Sequence, residues 1–124
     1  MAFAEHSDRL PTVLVVEDEF IIALDVSETV QDLGFQLQGP YADKARAFAA
    51  IEQQLPDAAI LDVHVADGDV FPLADALAKA GVPIIFHSGH YQQDVMQRRY
   101  PGAFSCGKPC SPSELVTVLQ QVVR

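Results

Sequence analysis

The chain has 124 residues, 49% of them hydrophobic and 20% charged, enough for one core and one domain. Its formal net charge of −9, from 17 Asp+Glu against 8 Lys+Arg, repels nucleic-acid phosphates and favours a cation or a basic partner. The start, MAFAEHSDRLP, lacks a signal-peptide pattern, the apolar runs FIIAL and VLVV are too short to span a bilayer, and two cysteines make no secreted disulfide framework. The expectation is a cytoplasmic protein without membrane or nucleic-acid partners, with residues 1–11 as a loose leader and one domain over 12–124.

Thr12–Val16 (TVLVV) is a β-branched run that reads as a buried strand. Glu19–Leu33 follows as a helix, with Ile22, Val26, Val30 and Leu33 on one face and Gly34 as its stop. Phe35–Gln38 predicts a brief second strand. Asp43–Leu55 predicts a helix whose apolar positions are Ala45, Phe48, Ile51 and Leu55, closed by Pro56. Ala58–Leu61 is the third strand and Asp62–Val70 a loop, with Asp67-Gly68-Asp69 read as a turn. Pro72 opens a helix through Leu73, Leu77 and Ala80 that stops at Gly81. Pro83–Phe86 is the fourth strand, Tyr91–Arg99 a polar helix and Ala103–Ser105 a short fifth strand. Ser111, Pro112 and Glu114 provide an N-cap, an N1 proline and a capping-box glutamate, followed by the stripe Leu115, Val118, Leu119 and Val122.

Alternating strands and helices of this kind imply an α/β fold: a single doubly wound five-stranded parallel sheet, flavodoxin-like order 2-1-3-4-5, with helices on both faces. Ligands bind such sheets beyond the carboxyl ends of the strands. Strand 1 ends in Glu17-Asp18-Glu19, strand 3 in Asp62 and strand 4 in His87-Ser88-Gly89, while Lys108-Pro109 follows strand 5. Three carboxylates from Glu17, Asp18 and Asp62 on one edge call for a cation or a retained proton. An oxygen-only donor set suits Mg²⁺. Ser88 and Lys108 add a hydroxyl and a fixed positive charge, which together fit a phosphoryl group.

The segments VLVVEDE, PDAAILDVHVADGD, IIFHSG and GKP, in that order, resemble the signatures of the response-regulator receiver domain over roughly residues 12–123. The resemblance implies that Asp62 is the phosphoacceptor, that Asp18 binds Mg²⁺ directly and Glu17 through water, and that the backbone carbonyl of His64 is a further ligand. It also implies that Ser88 and Lys108 contact the phosphoryl oxygens, and that the peptide before Pro109 is cis. The implied function is a single-domain regulator of a two-component phosphorelay. Its phosphoryl group would come from a sensor histidine kinase, its output would be an unidentified downstream protein, and its only reactions would be self-phosphorylation and autodephosphorylation. FHSGH resembles the Phe-Ala-Thr-Gly-Tyr subgroup of stand-alone receivers paired with HWE-type kinases. Departures from the pattern are Ala66 in place of a usual proline and Ser105 in place of a usual Tyr or Phe, with Phe104 turned to the other face by strand alternation.

The stretch CGKPC (106–110) has three residues between its thiols, not the two of a thioredoxin-like site, so its chemistry is assigned to Lys108. His64, His87 and His90 lack ligand spacing and read as loop residues. Two rivals make different demands. A haloacid-dehalogenase-like phosphatase would have its nucleophile on the first strand and an aspartate where His64 stands. A flavodoxin-like binding module would need a phosphate loop where Glu17-Asp18-Glu19 stands.

Overall fold

The structure, a computed structural model, describes residues 10–88, 93–108 and 110–123. Thr12–Val16 forms β1, buried along its whole length because strands flank it on both edges and helices cover both faces. β2 (Gln36–Tyr41), β3 (Ala58–Asp62), β6 (Ile84–Ser88) and β7 (Phe104–Gly107) complete one sheet in the order β2-β1-β3-β6-β7. Taken in sequence, those five strands have the expected 2-1-3-4-5 order, and every pairing is parallel. The two short strands between β3 and β6, β4 (His64–Val65) and β5 (Gly68–Asp69), pair antiparallel as a separate ribbon.

Among the described residues five helices cover the sheet: α1 (Phe20–Asp32), α2 (Lys44–Gln53), α3 (Phe71–Lys79), α4 (Gln93–Arg99) and α5 (Pro112–Val122). Strand alternation sends Leu14, Leu61 and Phe86 to one face, where they meet Ala47, Leu73 and Met96 from α2, α3 and α4. Val13, Ile60 and Ile85 go to the other face and meet Val26 and Val30 of α1 and Leu115 and Leu119 of α5. Each fully buried large aliphatic side chain stabilises the fold by about 1.5–3 kcal/mol relative to exposure. The expected stripes of α1 and α5 are thus the ones buried.

Several boundaries differ from expectation. β2 runs on to Tyr41 through Pro40, which an edge strand tolerates because one side of it needs no ladder donor. On α2 the buried position is Ala47, with Phe48 and Ile51 packed beside it, whereas Ala45 and Leu55 are exposed. Asp62–Val70 is not only loop: the Asp67 carboxylate accepts from the backbone N–H groups of Lys44 (2.8 Å) and Ala45 (3.2 Å), pinning the ribbon to the start of α2. Those hydrogen bonds, that from the Lys44 N–H foremost, hold the Asp67 pKa below its ordinary value. At Gly68, which opens β5 directly after the turn, φ is +113°, a region that favours glycine. Phe104 packs on the same face as Cys106, opposite to Ser105, as alternation requires. Most of the leader, the first two residues of the expected fourth helix, His90 and the peptide before Pro109 fall outside the described residues.

Candidate functional site

Parallel pairing brings the ends of four neighbouring strands level. Val16 pairs with Leu61, Asp62 with His87, and Ser88 with Gly107, so Glu17, Asp62, Ser88 and Lys108 emerge together at one edge. The backbone makes the same closure. Glu17 N–H donates to the Tyr41 carbonyl (2.9 Å) and Lys108 N–H to the Ser88 carbonyl (2.9 Å).

Glu17 is 4% and Asp62 7% exposed, while Asp18 faces solvent. One carboxylate oxygen from each lies within 4.8 Å of the others. Lys108 Nζ closes the cluster, donating to Asp62 Oδ2 at 3.0 Å and to Glu17 Oε2 at 3.4 Å. It also stands 3.1 Å from Glu17 Oε1 as an ion pair without hydrogen-bond alignment, and 3.4 Å from Glu19 Oε1. Glu19, the last residue of the Glu17-Asp18-Glu19 run, has a role that the run alone does not reveal: its N–H donates to Glu17 Oε2 at 3.1 Å and orients that carboxylate.

The electrostatics show a site with too much negative charge for one lysine. Burial, with neighbouring Asp62, pushes the Glu17 carboxyl up to about 7. Burial pulls the Lys108 ammonium down, but hydrogen bonds and charge attraction from Asp62 and Glu17 outweigh it and hold the pKa above the ordinary lysine value. His87, whose Nδ1 stands 3.9 Å from Glu17 Oε1, is held below its ordinary pKa by burial and by the Lys108 charge, so it sits there as a neutral imidazole.

Three buried polar atoms around this cluster have no hydrogen-bond partner among the described residues: Glu17 Oε1, His87 Nε2 and Ser88 Oγ. An unsatisfied buried polar group costs about 1–3 kcal/mol, so a ligand that gave Ser88 Oγ a partner at this strand edge would recover that cost. Ser88, 1% exposed on the strand beside Asp62, and Lys108 stand on the same edge as that carboxylate. His64 lies in β4 with an exposed side chain, two residues beyond Asp62. The loop reading of the two histidines does not hold: His64 lies in β4 and His87 is buried within β6, because strand pairing extends past the ends expected for it.

An exposed apolar patch lies on the first turns of α1, directly after Glu19. Phe20 (74% exposed), Ile21 (73%) and Leu24 lie off the buried stripe of α1. In the sequence they belong to FIIAL, a run too apolar for one face of a surface helix to account for.

No family model matches the chain. It is 31% identical over 114 residues to the transcriptional regulatory protein PdtaR of Mycobacterium tuberculosis, covering 90% of this chain and 56% of that one. It is 28% identical over 120 residues to the phyllosphere-induced regulator PhyR of Methylorubrum extorquens, covering 94% of this chain and 45% of that one. The chain thus spans about half the length of these curated relatives. The solution structure of the receiver domain of the Erythrobacter litoralis PhyR response regulator superposes with a TM-score of 0.81 at 25% identity, covering 94% of this chain and 92% of that one. Neither rival fits the geometry: Asp62 ends the third strand rather than the first, and the β1–α1 turn presents carboxylates where a phosphate loop belongs. Similar over almost its whole length to response regulators, with their sheet order, this chain belongs to the receiver-domain family of two-component response regulators.

Proposed function

We propose that this receiver takes a phosphoryl group onto Asp62 from the phosphohistidine of a sensor histidine kinase of the HWE type, in the cytoplasm, and signals by protein–protein contact rather than by binding nucleic acid. The observation that carries the reading is the Lys108 ammonium 3.0 Å from the Asp62 carboxylate, inside a three-carboxylate cluster edged by Ser88 Oγ, which has no partner among the described residues. An Asp62 oxygen attacks phosphorus, the P–N bond to the donor imidazole breaks, and its electron pair leaves with that imidazole. Lys108 Nζ, already at the nucleophile, offsets charge on the phosphoryl oxygens. Ser88 donates its hydroxyl to another of them.

The donor set fits Mg²⁺: all oxygen, with Glu17 raised to about 7 and one buried Glu17 oxygen lacking a hydrogen bond. Asp18 and Asp62 would hold the ion directly, Glu17 through water, and the His64 backbone carbonyl would add a ligand. When bound, Mg²⁺ supplies the positive charge that lets a phosphoryl group approach three carboxylates. The only turnover expected of the chain is loss of its own phosphoryl group to water. Phe20, Ile21 and Leu24, next to the pocket through Glu19, give the kinase an apolar surface to cover.

Incubation with acetyl phosphate and intact-mass measurement tests the assignment. One added phosphate that requires Mg²⁺ and is lost in Asp62→Asn is expected. Equal labelling of Asp62→Asn would remove Asp62 as the acceptor.

A further inference from the structure

The two thiols of CGKPC take no part in the site above, yet they converge with a third donor. Cys106 is buried at the end of β7, Cys110 is half-buried just before the N-cap of α5, and Glu114 is exposed in the first turn of that helix. A sulfur from each cysteine and an oxygen from Glu114 all lie within 4.8 Å of one another. Only half of the expected capping box forms. The Glu114 N–H donates to Ser111 Oγ at 3.2 Å, while the Glu114 carboxylate stands by the sulfurs.

We propose that Cys106, Cys110 and Glu114 form a second metal site, distinct from the acidic pocket, for a thiophilic divalent ion of the Zn²⁺ class. Two thiolates and a carboxylate with an open fourth position are a zinc-type donor set, whereas Mg²⁺ has no use for sulfur. Zinc–sulfur bonds of about 2.3 Å in a tetrahedron put the sulfurs roughly 3.8 Å apart, so the site needs to close by no more than about 1 Å. An entry path exists. Cys110 lines a groove of about 350 Å³ between α1 and α5 together with Asp25, Glu28 and Asp32, carboxylates that concentrate cations at its mouth.

The N-terminal field of the 11-residue α5 favours the thiolate form at Cys110. Burial works the other way, raising both thiol pKa values. Burial therefore leaves little free thiolate for disulfide exchange, whereas a metal displaces the protons itself. Because Lys108 lies midway between the two cysteines, an ion there would tie the lysine's loop to α5.

The test is a Co²⁺ titration of the reduced, metal-stripped chain under anaerobic conditions with excess Mg²⁺ present, followed by displacement with Zn²⁺. The expected result is one equivalent bound, with sulfur-to-cobalt charge transfer and the intense visible bands of a tetrahedral ion. Cys110→Ser should weaken binding by more than about 100-fold, since even outer-shell changes cost 10–100-fold. Glu114→Gln should keep the sulfur band and weaken binding by on the order of tenfold. Both side chains reach the surface, and circular dichroism checks that each variant is folded. Asp62→Asn should bind Co²⁺ as the natural chain does, so metal binding and phosphoryl acceptance fail independently. Absence of the sulfur band, its survival in folded Cys110→Ser, or its loss in Asp62→Asn would overturn the assignment.

Discussion

Lys108 reaches three acidic side chains, and no other cation among the described residues does so. Two opposite stability effects follow. In Mg²⁺-free buffer Asp62→Asn removes a like charge from beside buried Glu17 while leaving Glu17 its lysine, so it should raise stability by about 1 kcal/mol. Lys108→Ala leaves the carboxylates uncompensated and should lower stability by on the order of 2 kcal/mol, at the low end for a partly buried pair. Urea midpoints measure both. A lower midpoint for Asp62→Asn would mean that the pocket is not strained by charge.

At the scale of elements, α4 is the weakest piece. It has seven residues, buries Met96 and leaves Val95 exposed. Its end is held by Arg99, which pairs with Asp75 at 3.2 Å and lies over the rings of Phe71 and Tyr100. A helix of this length has little stability of its own. Ser105, one strand away, is too small to carry a packing change from the pocket. Coupling should therefore run from Ser88 along the backbone to α4. With beryllofluoride as a phosphoryl mimic, amide hydrogen exchange should slow in Gln93–Arg99 and stay constant in Phe104–Gly107. Ser88→Ala should abolish that slowing while leaving Asp62 labelling largely intact. Slowing confined to Phe104–Gly107 would refute the route.

Over the whole molecule, the sheet separates two cores and its carboxyl edge holds the chemistry, so stability and function draw on different residues of the same strands. Phe86 shows the division. It is fully buried, with its ring centroid 5.2 Å from that of Tyr100, and it directly precedes His87 and Ser88. Phe86→Ala should cost about 3–5 kcal/mol by cavity formation, read from the urea midpoint. Labelling of the remaining folded fraction at Asp62 should persist, since no pocket group is removed.

The sequence by itself determined the five parallel strands, their order and the stripes of α1 and α5, because period and stop signals are local and few windings satisfy right-handed crossovers. It also determined that Glu17, Asp18, Asp62, Ser88 and Lys108 share an edge, since strand ends in a parallel sheet must do so. It did not determine the ends of β2 or the buried position of α2, which depend on what packs against them. Nor did it disclose the β4–β5 ribbon, whose anchor is Asp67 on the backbone of Lys44, 23 residues away. Glu114 is the sharpest case. Read locally it is a capping residue, but the carboxylate's actual neighbours come from a strand end and a loop. Only tertiary structure decides which donors meet, because side chains distant along the chain become neighbours only when strands and helices pack.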